Sequence, residues 1–188
     1  IIAQKKNVFN VTAFLNYSDA AFILYSPFLV NNRLNAYQFG LNGEYKFKNG
    51  LMFSGKYSYI DVSDNNYGNQ FVARVGKVFE QDILAGYEYY FYSLKEATLL
   101  YWSPKNFESH SLWADWTIYQ DEVFTFNIGG KVGLIPQNDF VVSEFYASIS
   151  YQLLKNLLFQ TRYSTGSSFR SGVGYRSNSI QASLIWGL

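Results

Sequence analysis

Apolar and polar residues alternate with a period of two along most of the chain. Between Ala36 and Ile60 the odd-numbered residues are mainly Tyr, Phe and Leu, whereas the even-numbered residues are mainly Gln, Asn, Glu, Lys and Ser. The alternation is interrupted at Lys48-Asn49-Gly50, which is a turn sequence. Because successive side chains of a strand point to opposite faces, this stretch predicts a β-hairpin with one apolar and one polar face.

The same pattern predicts ten strands. They cover residues 7–17, 34–47, 51–62, 69–79, 83–92, 107–118, 123–134, 143–154, 157–166 and 174–188. No stretch shows a sustained helical period. The apolar segments 20–25 and 97–102 stay open as extra strands, which would raise the number to twelve, or as extensions above the membrane.

The connections between these strands are predicted to alternate in length. Short turns are expected at 48–50, 80–82, 119–122 and 155–156, and longer links at 18–33, 63–68, 93–106, 135–142 and 167–173. An up-and-down meander that crosses a membrane gives this pattern when one rim is tight and the other is elaborated. Both termini would then lie at the rim of the short turns.

Most charged residues of the predicted strands fall on the polar face. On the apolar face no charge falls in the middle of a predicted strand, and Lys77 lies next to a predicted turn. The polar face carries Glu44, Lys46, Lys56, Arg74, Glu88, Asp115, Lys131, Glu144 and Arg162. A charge on a lipid-facing position near mid-bilayer costs roughly 2–4 kcal/mol, and less near the interface. The distribution therefore favours an apolar face in contact with lipid.

Composition supports the same orientation. Charged residues make up 15% of the chain and aromatic residues 20%, against a usual charged content of ~25%. A soluble barrel with an apolar interior, holding an apolar ligand, is the alternative, but its outer surface would be unusually poor in charge. We predict an all-β fold, an antiparallel up-and-down transmembrane β-barrel of about ten strands, with residues 1–188 as a single outer-membrane domain.

Two groups of side chains are candidates for function. Residues predicted to face the lumen and a solute are Glu88, Tyr90, Tyr92, Trp113, Asp115, Glu144, Tyr146, Arg74, Arg162 and Lys56. Residues predicted to form the lipid-interface girdles at the two rims are Tyr57, Tyr59, Tyr89, Phe91, Trp116, Tyr151, Tyr163 and Trp186. The inward Tyr and Trp rings could stack on sugars, or the same side chains could fill a narrow barrel as a hydrogen-bonded plug.

Catalytic chemistry has little support in the sequence. The chain has no cysteine and a single histidine, His110, between Ser109 and Ser111. Immediate neighbours in a strand point to opposite faces, so neither serine shares a face with the histidine. No catalytic residue, metal site or cofactor is predicted, and the net charge of +1 does not indicate nucleic-acid binding.

Two segments resemble known outer-membrane proteins. The C-terminal SIQASLIWGL resembles the last strand of bacterial outer-membrane proteins, although those usually end on Phe or Trp and this chain ends on Leu188. Residues 101–107, YWSPKNF, resemble a loop-to-strand element of the barrel domains of cellulose and poly-N-acetylglucosamine secretion proteins and of YaiO-like barrels. The resemblance implies polysaccharide passage across the outer membrane, beside a periplasmic helical-repeat domain or another envelope partner.

The predicted function is accordingly that of a porin-like or polysaccharide-assisting barrel in a Gram-negative outer membrane, with periplasmic termini. Its expected partners are outer-membrane lipids and a saccharide or small polar solute. A rim-located lipid or peptide hydrolase using His110 and a purely structural plugged barrel stay open as alternatives. The opening IIAQ is either the end of a signal peptide or a junction with an upstream domain, in which case the chain is the C-terminal part of a longer protein.

Overall fold

Ten strands in a single sheet make up almost all of the described structure. A computed structural model describes residues 8–24, 29, 33–170 and 173–186. The strands are β1 Val8–Asp19, β2 Asn35–Lys46, β3 Leu51–Val62, β4 Tyr67–Val78, β5 Ile83–Leu94, β6 Phe107–Gln120, β7 Phe124–Ile135, β8 Phe140–Leu154, β9 Leu157–Arg170 and β10 Val173–Trp186. The helical elements whose bounds lie within the described residues are α1, Ala20–Leu24, and 3-10 turns at Glu80–Asp82 and Pro136–Asn138. None of the described helices has the length and apolar character needed to cross a membrane.

Each strand pairs in antiparallel fashion with the next strand along the chain, from β1 to β10. This up-and-down order confirms the predicted all-β fold. Among the described residues the register shifts only at Thr117/Tyr119 and at Gln152/Leu154, both close to the short turns. Among the described residues β1 and β10 pair with one neighbour each, so they are the two edges of the sheet.

The predicted alternation of short and long connections is wrong in part. Only the links 20–34 and 95–106 are long, and both lie at the same rim, which we call the long-loop rim. The links at 63–66 and 136–139 are as short as the turns at the opposite rim, and β9 and β10 are separated only by residues 171–172. Residues 167–170, which the sequence assigned to a link, continue β9, and Phe140, Val141 and Val142 start β8.

The two proposed extra strands are also absent from the described residues. Ala20–Leu24 forms α1, and residues 97–102 form an irregular loop. Tyr25 lies outside the described residues, as do the opening IIAQ and the last two residues of the C-terminal resemblance.

A compact apolar cluster, which we call the loop core, lies at the long-loop rim. It consists of Ala20, Leu29, Ala36, Ile60, Val62, Tyr92, Leu94 and Tyr101, and all of them are buried. Ile23 and Leu24 of α1 and Trp102 pack against it. Burial of this apolar surface fixes both long loops on the end of the sheet.

The polar face of the sheet is concave and the apolar face is convex. Side chains of the polar face meet across an intervening strand, as Glu88 of β5 and Lys131 of β7 do. Phe39 and Leu184 on the apolar face are 47% and 65% exposed, whereas Glu88 is 3% exposed. The sheet therefore buries its polar side chains and presents its apolar side chains outward, the reverse of a soluble barrel.

Candidate functional site

A continuous row of ion pairs crosses the concave face. The row, which we call the charge ladder, runs from Arg74 through Glu88, Lys131 and Glu144 to Arg162, and so from β4 to β9. Arg74 donates from Nε to Glu88 Oε2 at 2.6 Å, and Lys131 Nζ lies 3.1 Å from Glu88 Oε1 and 3.7 Å from Glu144 Oε2. Arg162 lies 3.5 Å from Glu144 Oε1. Every carboxylate in the row therefore has a cation on each side.

The strand register builds this ladder. Arg74 is the cross-strand partner of Glu88, and Lys131 is the partner of Glu144. Between them, Ser111 of β6 is the partner of Glu88. Because serine is short, Glu88 and Lys131 meet over β6. The Glu88 side chain is only 4% exposed, and a carboxylate buried so deeply needs paired cations to stay ionised.

A second polar bridge crosses β7 at a glycine. The Tyr146 hydroxyl of β8 donates to Asp115 Oδ1 of β6, and the Arg162 guanidinium stacks 3.7 Å from the centre of the Tyr146 ring. Gly129 is the partner of both Asp115 and Tyr146. A Cβ at this position would come within 2.5 Å of Asp115 Oδ1 and 2.6 Å of Tyr146 Oη. The bridge therefore requires a residue without a side chain.

Gly129→Ala is expected to destabilise the protein by about 1–3 kcal/mol, because the added methyl overpacks the bridge and displaces Tyr146 from Asp115. Gly43→Ala is the matched control, since a Cβ there meets no atom within 4 Å. Urea titration of the two variants in detergent micelles measures the difference. Equal midpoints for the two variants would contradict the bridge geometry.

Trp113 fills the centre of the same face. Its ring lies over Gly76 of β4, where a Cβ would approach the indole at 2.8 Å, and the Arg74 guanidinium lies 5.4 Å from the ring centre. Trp113 is 6% exposed, and its Nε1 has no hydrogen-bond partner among the described residues. Trp113 is thus a packing element of the concave face, and it offers little surface to a solute.

A hydrogen-bonded row of uncharged side chains occupies the long-loop half of the face. This row, the amide ladder, runs from β1 to β5 through Asn16, Gln38, Ser58, Gln70 and Tyr90. The donor–acceptor distances lie between 3.1 and 3.4 Å. The two ladders overlap at β4 and β5 and lie at different heights along the strands. Together they give the concave face a polar lining from β1 to β9.

The loop 95–106 is fixed to the sheet by a buried polar network. Asn66, which is 3% exposed, donates from Nδ2 to the Glu96 carbonyl at 2.9 Å and to Tyr101 Oη at 2.8 Å, and its Oδ1 accepts from the Glu96 N–H. Tyr101 Oη donates to Asp64 Oδ2 at 2.8 Å. Burial and the bond to Asp64 raise the pKa of Tyr101 above its usual value. The phenol therefore stays protonated, and a donor, at neutral pH.

Asn66→Ala is expected to release the loop 95–106, because it leaves the Glu96 N–H and carbonyl without their partner and costs roughly 1–3 kcal/mol. Hydrogen–deuterium exchange should rise at Glu96 and its neighbours while the central strands keep their protection. Asn69→Ala is the control, since Asn69 is exposed and accepts only from Tyr57 on the convex face. Unchanged exchange in the loop of Asn66→Ala would show that the loop core alone holds it.

Trp102 projects from this loop onto the concave face. Its ring centre lies 5.3 Å from that of Tyr92 and 4.9 Å from that of Phe107. On one side is a cavity of about 600 Å³ bordered by Asn16, Gln38, Gln70 and Tyr90 of the amide ladder, and on the other is a cavity of about 290 Å³ bordered by Ser109 and Ser111. Trp102 and Tyr90 border both cavities. They form a partition between two chambers at the long-loop end.

The structure brings most of the predicted lumen residues together. Arg74, Glu88, Lys131, Glu144 and Arg162 share the charge ladder, and Lys131 joins the set although it was not among the predicted site residues. Six of the residues predicted to face the lumen also border a cavity, namely Lys56, Arg74, Glu88, Tyr90, Tyr92 and Glu144.

Three of the predicted solute-facing residues have almost no accessible surface. Glu88, Tyr92 and Trp113 are 3%, 5% and 6% exposed. They pack the concave face and have little surface left for a solute to contact. Solute contact for the remaining residues stays a prediction.

The predicted girdle residues all lie on the convex face, but not all lie at a rim. Tyr57, Tyr89 and Tyr163 are near the middle of β3, β5 and β9. β5 and β9 extend further towards the long-loop rim than predicted, whereas β3 has its predicted bounds and Tyr57 is simply the seventh of its twelve residues. Tyr59 and Phe91 are nearer that rim, and Trp116, Tyr151 and Trp186 are nearer the short turns. Contact of these rings with the lipid interface stays a prediction.

His110 lies on the convex face, opposite to its two serine neighbours. The Tyr87 hydroxyl is hydrogen-bonded to His110 Nδ1, and the Tyr89 ring centre lies 5.3 Å from the imidazole. Ser109 and Ser111 are buried on the concave face at 8% and 3% exposure. Within the part of the chain that the structure describes, no group of three or more acidic or histidine side chains could hold a metal ion.

Sequence reasoning missed Trp102, Gly129 and the amide ladder. The available signal was on the polar face, where glycines occur at positions with strand period, such as Gly76, Gly86 and Gly129. A glycine there leaves room for a large side chain from a neighbouring strand. Trp102 has no comparable signal, since only the folding of the loop 95–106 brings it over the sheet.

Comparisons with known proteins support the fold. No family model and no curated protein matches this sequence. A solved structure described as a "Bacterial polysaccharide outer membrane secretin" superimposes with a TM-score of 0.74 over 96% of this chain, at 8% sequence identity. The likeness is one of fold. The chain spans 65% of that protein's length.

Proposed function

We propose that this chain forms an outer-membrane β-barrel whose polar concave face assists the passage of a polysaccharide. The observation that carries the proposal is the division of the sheet into an apolar convex face and a concave face lined by the charge ladder and the amide ladder. Lipid would contact the convex face, and hydrated polymer the concave face. The fold shared with a polysaccharide outer-membrane secretin supports the same role.

The orientation that we propose places the termini in the periplasm. The start of β1 and the end of β10 lie beside the short turns that follow β2 and β8. In outer-membrane barrels the short turns are periplasmic and the long loops extracellular. The links 20–34 and 95–106 and the loop core would then cover the outer end of the passage.

The edges of the sheet limit how the barrel can sit in a bilayer. Backbone groups exposed to lipid must be hydrogen-bonded within the protein. The free edges of β1 and β10 therefore have to pair in the membrane, either with each other or with further strands. Either arrangement keeps the ladder-bearing face towards the axis.

Planar-bilayer recording tests the proposed passage. The purified chain should insert into bilayers and give discrete conductance steps that a soluble polysaccharide on either side reduces. Absence of insertion would overturn the membrane assignment. Insertion without conductance would favour the second candidate, a plugged structural barrel, to which the burial of Glu88 and Trp113 gives specific support.

We propose no enzymatic role. His110 is engaged by Tyr87 and Tyr89 on the convex face, and the buried serines on either side of it cannot reach it. Lys56 and the other concave-face residues offer binding groups for a polar solute. Hydrolysis of a lipid or peptide substrate that is abolished by His110→Ala would overturn this proposal.

A further inference from the structure

The larger of the two chambers combines the groups that recognise a sugar. The cavity of about 600 Å³ is bordered by Trp102, by Gln38, Gln70 and Tyr90 of the amide ladder, and by Lys56. Its volume lies within the range of small-ligand sites, roughly 300–1,000 Å³. Amide and hydroxyl groups suit sugar hydroxyls, and the flat indole suits the apolar face of a sugar ring.

Trp102 is held in a fixed position at the border of this chamber. Tyr92 and Phe107 contact its ring, and the Asn66–Tyr101 network anchors the loop that carries it. Such preorganisation reduces the entropy lost on binding. The indole therefore offers a preformed stacking surface to a sugar in the larger chamber.

Among the described cations of the concave face, Lys56 is the one that lacks a carboxylate partner. Its Nζ lies 5.5 Å from the centre of the Phe14 ring, and no carboxylate of the described residues is within ion-pair distance. The carboxylates of the neighbouring rows, Glu44 and Glu88, are already paired, with Lys46 and with Arg74 and Lys131 respectively. Lys56 is therefore available to an anionic group of a ligand.

We propose that the larger chamber is a subsite for an acidic sugar residue, which stacks on Trp102 and places its carboxylate on Lys56. The inference deepens the proposed function and rests on it, because it assigns a substrate class to the same concave face. A charge-assisted hydrogen bond to Lys56 discriminates against a neutral sugar that cannot form it. The neighbouring amides would bond the ring hydroxyls.

Calorimetric titration in detergent micelles tests the subsite, with trigalacturonate as the acidic probe and cellotriose as the neutral probe. The wild type should bind trigalacturonate about tenfold more tightly, which corresponds to about 1.4 kcal/mol. Lys56→Gln should remove this preference and Lys56→Arg should keep most of it. Trp102→Ala should weaken the binding of both probes, and Trp102→Phe should weaken their binding less.

Matched controls come from the convex face. Lys77→Gln and Trp116→Ala make the same changes where no chamber exists, and both should leave the affinities unchanged. Equal affinity of the wild type for the two probes, no binding of either, or a preference that survives Lys56→Gln would overturn the subsite. If the protein conducts in bilayers but does not prefer trigalacturonate, the proposed passage is supported and the subsite is overturned. If it prefers trigalacturonate but does not conduct, the subsite is supported and the proposed passage is overturned.

Discussion

Ile128→Arg is expected to lower the free energy of unfolding in lipid bilayers by ~2–4 kcal/mol, the cost of a cation at a lipid-facing position near mid-bilayer. Ile128 lies near the middle of β7 on the convex face, between Trp116 of β6 and Ala147 of β8. The guanidinium would have to stay in hydrocarbon or pull water and headgroups towards it. Either outcome is costly.

Asn127→Arg is the matched control for this charge. Asn127 is the adjacent residue of β7, at almost the same depth, and its side chain is on the concave face between Thr117 and Ser148. Here the cation meets a polar lining, so the change should stay within about 1 kcal/mol of the wild type. Urea titration in bilayers measures both variants. A larger loss for Asn127→Arg than for Ile128→Arg would reverse the assignment of the faces.

Glu88→Gln should give the second-largest effect, a loss of about 2–3 kcal/mol. The substitution leaves Arg74 and Lys131 facing a neutral amide, and removing one member of a buried ion pair costs roughly 3–5 kcal/mol. The expected loss is smaller because the Arg74 and Lys131 side chains are 40% and 31% exposed, so that water screens part of their repulsion.

Glu44→Gln provides the comparison for the buried carboxylate. Glu44 pairs with Lys46 at 2.9 Å, but both side chains are about one-third exposed. Its removal should cost at most about 1 kcal/mol. Lys131→Met in the Glu88→Gln background should restore part of the lost stability, as measured by the midpoint of urea unfolding. No recovery in the double variant would show that the ladder does not act as one unit.

The strands were predictable because alternation is a local signal. Residues such as Tyr37, Phe39 and Leu41 give the period of β2 directly, and nearest-neighbour pairing followed from the short turns. The links were harder to predict. Ser167 was assigned to a loop, although it lies in β9 opposite Ser143. The reason is that a strand rich in small polar residues resembles a loop in composition.

The candidate site was predictable only in part. The charged side chains of the polar face were identified from their positions along each strand, since alternate residues of a strand point to the same face of the sheet. Their pairing was not, because the contact between Glu88 and Lys131 depends on the short side chain of Ser111 between them. Trp102 could not be assigned, since its position depends on Asn66 and Tyr101, which are distant in sequence from each other.

The orientation of the two faces can be measured directly on β8. The natural chain has no cysteine, so a single cysteine at Ala147, Ser148, Ile149 or Ser150 gives one unique site for a nitroxide label in reconstituted protein. The electron-spin relaxation of labels at Ala147 and Ile149 should be accelerated mainly by lipid-soluble oxygen. That of labels at Ser148 and Ser150 should be accelerated mainly by a water-soluble nickel chelate. The opposite alternation, with oxygen favouring the two serine positions, would contradict a lipid-facing convex surface and a polar concave passage.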